Sequence, residues 1–365
     1  MAATDLMRRM AAPLLMAAAA SLSAATLPED RAEAMYHSYN GGGVEVDGPA
    51  LEARQKIGSQ VSASANYYVD SISAASIDVV TSASPYTEQR TEYGMGFDWL
   101  YGNALMNVGY SNSDESDYTS DTYTLGLSQT VFAGMTTLSM GYSHGDDVVE
   151  RVDTDFEDSV DRDQFRLGMS QVVTPTIIAS VDYEAITENG FLNNPYRSAR
   201  ILGAQVPEQY PRTRTSQAVS VGAMKSLGDR KSAVSASYRF FDDTWDITAH
   251  TLEAGYSRYV GSRWIVDLKY RYYTQNAASF YSDNFDRAYR YMARDKELST
   301  FDSHAATARL TWNVFDGRNS GITKGNVGLS WEYLYFTYDD FTDIRSGDLY
   351  DFDSQVLQLY FSAWY

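Results

Sequence analysis

Apolar and polar residues alternate along most of this chain, in segments that end at turns. In the clearest segment, 264–272, apolar or aromatic residues fill the even positions and charged residues fill positions 267, 269 and 271. A period of two places successive side chains on opposite faces of a β-strand. Because the pattern recurs at 93–99, 306–314 and 327–335, the sequence predicts an all-β protein.

The connections between these segments alternate between short turns and longer loops. The long connections lie near 71–87, 146–159, 188–211, 276–299 and 341–351. Such alternation is typical of a transmembrane antiparallel up-and-down β-barrel, with the short turns on the periplasmic side. Counting the strands after residue 60, and adding two more near 34–39 and 44–57, predicts 16 strands, with 14 as the alternative.

Charged residues occupy the middle of several predicted strands, on the face opposite the apolar side chains. A water-filled interior accounts for them, whereas a sandwich would have to place them all on its outer faces. Strand parity assigns nine of them to the lumen wall: Arg166, Asp182, Glu184, Arg239, Asp267, Lys269, Arg271, Arg309 and Glu332. The predicted cylinder is apolar outside and wet inside, and a barrel of this strand number holds water unless loops fill it.

The N-terminal segment predicts export. Arg8 and Arg9 precede an apolar stretch at 10–20, and small residues at 23–25 offer a cleavage site. This layout is typical of a secretory signal peptide rather than a spanning helix, because crossing a bilayer takes about 20 apolar residues. We expect a signal peptide at 1–25 and an outer-membrane β-barrel at 26–365, in the outer membrane of a Gram-negative cell.

Aromatic residues mark the ends of the predicted strands. The last strand alternates up to a terminal aromatic residue, Tyr365. Outer-membrane barrels commonly end in this way, so the barrel-assembly machinery is a predicted partner through the C-terminal strand. Four tryptophans close to short-turn ends are predicted to form an aromatic girdle at the periplasmic interface: Trp99, Trp264, Trp312 and Trp364.

Composition limits the chemistry that is open to the chain. The absence of cysteine excludes thiolate metal sites, covalent haem attachment, cysteine nucleophiles and disulfides. A net charge of −19 argues against nucleic acid as a partner. Carboxylates cluster at 114–121 and 146–163, which makes Ca²⁺ binding a hypothesis, but the spacing matches no defined calcium loop. Solvated carboxylates facing outer-membrane lipid and lipopolysaccharide are the favoured interpretation.

One segment runs against this negative charge. Arg197, Arg200, Arg212 and Arg214 form a cationic loop in which Glu208 is the only acid. Arginine forks suit carboxylates and phosphates, so the loop is either an inward-folded constriction that binds anions or a partner of the barrel's own acidic loops. The second interpretation is favoured. A mixed segment at 283–296 is either an amphipathic plug or an ordinary structured loop, and the loop is favoured.

Six strings in the sequence resemble the bacterial family of unknown function DUF3570. They are LPEDRA at 27–32, SANYYVD at 64–70, ASIDVV at 75–80, LNNPYRS at 192–198, YPRTRT at 210–215 and KYRYYTQ at 269–275. The resemblance covers essentially the whole mature chain. It implies a Gram-negative outer-membrane barrel without an assigned activity, and it supplies no functional residue. Relatives are associated with a small lipoprotein, a thioredoxin-like protein and a flavin transferase, which implies a periplasmic lipoprotein partner.

The leading functional prediction is a non-enzymatic barrel, either a pore for small solutes or a scaffold for a periplasmic partner. A component of an envelope redox or cofactor-traffic complex is the alternative. A less favoured hypothesis is an omptin-like protease, in which Asp302 and His304 would face an Asp pair, 161/163 or 351/353, across the barrel mouth. General-base catalysis needs such groups within about 3 Å of one water, and nothing in the sequence brings them together. No catalytic residue is assigned.

Overall fold

Within residues 25–74, 86–228, 231–316 and 321–365, which a computed structural model describes, the chain forms a closed antiparallel barrel of 16 strands. The strands are β1 (Arg31–Gly41), β2 (Val44–Ile57), β3 (Val61–Ala74), β4 (Tyr86–Tyr101), β5 (Ala104–Asp114), β6 (Tyr118–Val131), β7 (Thr136–Glu150), β8 (Glu157–Thr174), β9 (Ile177–Gly190), β10 (Ser198–Ile201), β11 (Ala204–Pro207), β12 (Thr213–Ser226), β13 (Ser232–Asp243), β14 (Thr248–Val260), β15 (Trp264–Gln275), β16 (Phe301–Asp316), β17 (Lys324–Thr342) and β18 (Leu349–Trp364). All except β10 and β11, which form a separate hairpin between β9 and β12, belong to the barrel. The predicted fold class and strand number are confirmed.

Closure leaves the barrel without a free strand edge. β1 pairs with β2 on one side and with β18 on the other, from Arg31 opposite Trp364 to Gly41 opposite Ser354. A closed sheet satisfies the backbone groups that an open edge would expose to lipid. Among the described residues, no helix is long and apolar enough to cross a membrane. Most of the predicted signal peptide (1–24) and the string at 75–80 lie outside the described residues.

The two ends of the barrel differ in their connections. β1 begins and β18 ends beside the tight turns, such as that at Gly102, whose φ of +58° suits a residue without Cβ. We call this the short-turn end. The opposite, long-loop end carries the two longest connections among the described residues, 191–212 and 276–300. The sequence predicts both as long loops.

The outer face of the barrel is apolar. Along β15, Trp264, Leu268 and Tyr270 are 40–49% exposed, and they alternate with charged residues on the other face. Trp264 stacks on Trp312 of β16 at 5.7 Å between ring centroids, which supports an aromatic girdle near the short-turn end. The girdle prediction is wrong for Trp364. That ring is buried on the inner face, with the Lys324 ammonium 4.1 Å from its centroid.

The inner face is wet only in part, which corrects the expectation of a polar lumen throughout. Toward the long-loop end, inward side chains of β1–β3 and β16–β18 bury one another in a cluster that includes Leu334 and Phe336. Residues 333–338 read Tyr-Leu-Tyr-Phe-Thr-Tyr, so aromatic or apolar side chains occupy both faces of this part of β17. Such a run indicates burial on both faces, and the apolar inward residues exclude water there.

Candidate functional site: the lumen and its cap

A charged groove on β8, β9, β12 and β13 lines the lumen from mid-height toward the short-turn end. Glu184 accepts hydrogen bonds from Arg166 and Arg239, each at 2.9 Å, so one carboxylate bridges two guanidinium groups. Asp182 and Ser220 complete the polar lining of this groove, whose volume is about 220 Å³. The side chain of Arg166 is 62% exposed, so this part of the wall faces solvent rather than packed protein.

The other five predicted lumen residues also lie on the inward parity. Lys269 forms an ion pair with Glu253 at 2.8 Å, and Asp267 lies directly opposite Arg309 in the β15–β16 register. Further inner-face contacts are the Ser257 hydroxyl on Asp267, the Thr307 hydroxyl on Glu332, the guanidinium of Arg309 over the Tyr360 ring, and Arg271 opposite Glu253. Charges of both signs therefore follow one side of the wall.

The loops 191–212 and 276–300 fold against each other at the long-loop end, and we call them the cap. Gln209 and Met292 exchange backbone hydrogen bonds of 3.0 and 2.8 Å, and Phe285 forms a bridge with Ile201 of β10. The segment 283–296 is thus part of a lid-like structure, although a plain structured loop is the favoured expectation from the sequence. Backbone hydrogen bonds therefore join the two loops of the cap directly to each other.

Apolar packing fixes the cap to the wall over most of the barrel's circumference. Leu192 packs against a cluster on β6–β8 and against the cap's central cluster, while Tyr281 joins that central cluster to the one on β16–β18 and β1–β3. The core of the β6–β8 cluster consists of Tyr118, Val149 and Val160. The core of the central cluster consists of Tyr210, Trp245, Ile247, Ala278, Phe280, Ala293 and Leu298. A continuous apolar layer therefore spans the long-loop end.

Arg294 is the principal polar link between the cap and the barrel. Its guanidinium donates to the carbonyl of Thr342 at 2.6 Å and to Asp283, and it lies 4.4 Å from the ring centroid of Phe341. Its backbone N–H donates to Glu208 of the other cap loop at 2.6 Å. Because the side chain is only 6% exposed, these bonds are made in a dry environment, where they hold the cap closed.

Two tyrosines contribute to the same layer, of which Tyr210 is buried and Tyr281 is partly buried. The Tyr210 hydroxyl donates to Glu208 at 2.8 Å, and the Tyr281 hydroxyl donates to the carbonyl of Asp340 at 3.0 Å. Burial raises the pKa of both phenols well above the ordinary value. Both hydroxyls therefore stay protonated and act as donors throughout the physiological pH range.

The cationic loop pairs with acidic groups of the barrel and cap. Arg212 binds the Asp158 carboxylate through two hydrogen bonds of 2.7 and 2.8 Å. Arg214 binds Asp243 at 2.6 Å, and Arg197 forms an ion pair with Asp295. Arg200 belongs to β10, where it lies opposite Gln205. Three of the four guanidinium groups are thus paired with carboxylates of the protein itself, two of them from cap residues and one between β12 and β13.

A buried polar network, which the sequence analysis missed, lies on the inner wall of β1, β3 and β4. His37 Nε2 lies 2.7 Å from Asp70, and the other carboxylate oxygen of Asp70 lies 3.0 Å from the Arg90 guanidinium. Tyr68 stacks on His37, with 4.9 Å between ring centroids, and its hydroxyl lies 3.1 Å from Nε2. His37, Asp70 and Arg90 are each less than 5% exposed.

Gly48 of β2 allows His37 of β1 to reach Asp70 of β3 across the intervening strand. It lies opposite His37 on β2, and the β2–β3 register is interrupted between Asp47 and Ala50. A Cβ on Gly48 would lie 1.8 Å from the carbonyl oxygen of Val69, so only glycine allows this approach. No local motif in the sequence signals the pairing, because His37 and Asp70 belong to strands separated by β2.

Replacing Gly48 with alanine is expected to separate β2 from β3 and to destabilise the barrel by about 1–3 kcal/mol, the usual cost of overpacking. The measurement is urea unfolding followed by the heat-modifiable mobility of the folded barrel. Gly228→Ala is the matched control, because no atom of the described residues lies within 4 Å of the added Cβ there. Equal midpoints for the two variants would contradict this account of Gly48.

The residues of the omptin-like hypothesis face outward. The Tyr272 hydroxyl donates to Asp302 at 2.9 Å, and the Tyr270 hydroxyl lies 2.7 Å from His304 Nδ1 on the apolar face. The same outer-face arrangement holds Asp163 to Tyr142 and Asp351 to Tyr335. The register of β15 with β16 directs Asp302 and His304 away from the lumen. These pairs therefore do not meet across the barrel mouth.

The chain matches known proteins in its family and in its fold. The model of a family described as "Protein of unknown function (DUF3570)" matches residues 78–323, which confirms the resemblance seen in the sequence. No curated protein matches the chain. Solved structures similar to it include outer-membrane β-barrels.

Three of these structures illustrate the range. A bacterial polysaccharide outer membrane secretin has a TM-score of 0.54 at 8% identity, over 93% of this chain and 100% of that chain. The outer membrane protein OpdK from Pseudomonas aeruginosa has 0.46 at 10% identity, over 92% and 98%. The siderophore receptor PirA from P. aeruginosa has 0.46 at 10% identity, over 87% of this chain. This chain spans only 60% of the receptor's length, and at such identities the likeness concerns the fold alone.

Proposed function

This chain belongs to the DUF3570 family of proteins of unknown function, and from its geometry we propose that it is a gated outer-membrane channel for small polar solutes. The short-turn end faces the periplasm and the capped long-loop end faces the exterior, as in other barrels of this kind. The capped conformation is the closed state. The observation that carries the proposal is the contrast between a solvent-facing charged wall and an apolar cap over the same lumen.

The width of the barrel supports a conducting path once the cap is displaced. Barrels with this number of strands leave an aqueous channel, whereas barrels of eight strands are filled by their own side chains. Arg166, Lys269 and Arg239 keep 62%, 50% and 39% of their side chains exposed, so the path carries fixed charge in contact with water. Rings of such charges determine which ions pass.

The groove around Glu184 provides the test of this proposal. The double variant Arg166→Gln, Arg239→Gln removes two positive charges and leaves the Glu184 carboxylate without its two cationic partners. In planar bilayers under a KCl gradient, the reversal potential of open events is expected to shift toward cation selectivity. Asp121→Asn, an outer-face carboxylate bonded to Tyr110, is the control that leaves selectivity unchanged. Absence of open events in both the native protein and cap-displaced variants would contradict the channel.

A further inference from the structure

Three carboxylates meet at the long-loop end of β4–β6. Glu88 lies near the start of β4, and Glu115 and Asp117 lie in the turn between β5 and β6. One oxygen from each lies within 4.8 Å of the others. Of the acidic residues that the sequence analysis noted in two external clusters, Glu115 and Asp117 come together here, with Glu88 from outside those clusters. Within the described part of the chain, no other group of three carboxylate or imidazole side chains meets in this way.

Glu115 is a buried carboxylate with one unpaired oxygen among the described residues. Its side chain points toward Glu88 and Asp117 and is only 8% exposed, and its Oε2 has no hydrogen-bond partner among the described residues. Leaving a buried carboxylate oxygen unpaired carries a substantial free-energy cost. Burial, with a further contribution from the charge of Glu88, raises the pKa of Glu115 to about 7.

The nearby cationic side chain, Arg90, is already paired with another carboxylate. Arg90 of β4 lowers the pKa of Glu115 to some extent, but its guanidinium is 3.0 Å from Asp70 in the buried network. Glu88 receives hydrogen bonds from the backbone N–H and the hydroxyl of Ser116. These neutral donors orient the Glu88 carboxylate but supply no positive charge to the cluster.

We propose that Glu88, Glu115 and Asp117 bind a divalent cation, and that Ca²⁺ is the ion they fit. The donors are oxygens only, without imidazole or thiolate, which favours a hard cation. Two of the three ligands lie in a turn, and Ca²⁺ tolerates irregular geometry better than Mg²⁺ does. An external site of this kind is expected to bind with a Kd of about 10⁻⁴–10⁻³ M.

The site also lies beside the cap. Burial and the nearby charge of Asp117 raise the pKa of Tyr196, which belongs to the loop 191–212, and the Tyr196 ring lies 5.2 Å from the guanidinium of Arg151. An ion bound at Asp117 therefore lies next to one side chain of the cap. This consequence is separate from the channel proposal, because the ion binds whether or not the barrel conducts.

Glu115→Gln tests the site with purified barrel in a non-ionic detergent. Calorimetric titration with CaCl₂ is expected to show one site in the native protein, and an affinity lower by at least about tenfold in the variant. Glu88→Gln should give a similar loss. Asp114→Asn is the matched control, because this neighbour lies on the opposite face of the wall, across from Thr119, and should keep native affinity.

Thermal unfolding provides the second measurement. Millimolar CaCl₂ is expected to raise the unfolding temperature of the native protein and of Asp114→Asn but not that of Glu115→Gln. Without calcium, Glu115→Gln should be at least as stable as the native barrel, because it removes an unpaired buried charge. Native affinity in Glu115→Gln, or equal loss in Asp114→Asn, would overturn the proposal. Failure of the channel recordings would not.

Discussion

Deletion of residues 279–296, with a short glycine–serine linker in their place, is expected to turn a mostly closed barrel into a continuously open pore. The deletion removes Phe280, Tyr281 and Arg294, which hold the central cluster and its polar link to β17. The lumen beneath is lined by charges, and a barrel of this width conducts once it is unobstructed. In planar bilayers, the open fraction and the single-channel conductance should rise by about tenfold or more over those of the native protein.

Point variants distinguish loss of the cap from damage to the barrel. Arg294→Ala breaks the bonds to Thr342 and Asp283 without shortening the loop, so it is expected to raise the open fraction while the conductance of each opening stays native. Leu202→Ala is the control, because this side chain at the β10–β11 turn is 76% exposed. Closed behaviour in both the deletion and Arg294→Ala, with folded protein on gels, would contradict the role of the cap.

Asp70→Ala is expected to destabilise the barrel more than Gly48→Ala does. It leaves the guanidinium of Arg90 buried and without its carboxylate, and it removes one of the two hydrogen-bond partners of His37 Nε2. Breaking one side of a buried ion pair costs about 3–5 kcal/mol, most of it the penalty for the charge left behind. Urea unfolding in detergent should show this loss as a lower midpoint with an unchanged slope.

The matched control for Asp70→Ala is Glu253→Ala, which also breaks an ion pair of the inner wall. Lys269, its partner, is half exposed, so water replaces the lost carboxylate and the expected cost is below about 1 kcal/mol. If the two substitutions lowered stability equally, burial of the His37–Asp70–Arg90 network would not be the reason for its strength.

The alternation of apolar and polar residues predicted most of the barrel, because side chains that face lipid must be apolar. The parity of β15, with Leu268 outward and Lys269 inward, follows from that rule alone. Alternation does not give the depth of a residue in the membrane. The girdle prediction included Trp364 because this residue lies close to the short-turn end, although its ring lies on the inner face of the barrel. The exposed residues Leu357, Leu359 and Phe361 place even-numbered positions of β18, including 364, on the inner face.

The dry half of the lumen was harder to predict. The run at 333–338 has aromatic or apolar side chains on both faces, which indicates packing inside the barrel, but its partners come from β1–β3, far away in sequence, and from Tyr281 of the cap. Tyr281 contacts both this cluster and the central one only after two long loops have folded together. Likewise, Glu88 joins Glu115 and Asp117 through the β4–β5 register, which spacing alone does not reveal.

The central claim is that one barrel has a wet short-turn half and a dry, capped long-loop half, and cysteine labelling tests it most directly. The sequence has no cysteine, so single Ser→Cys substitutions on the inner face report their own surroundings. Ser139 is exposed and lines the charged groove, whereas Ser303 is 3% exposed beside Phe336. A charged maleimide should label Ser139→Cys rapidly, and should label Ser303→Cys only when residues 279–296 are deleted. Equal labelling of both positions in the otherwise native protein would contradict the claim.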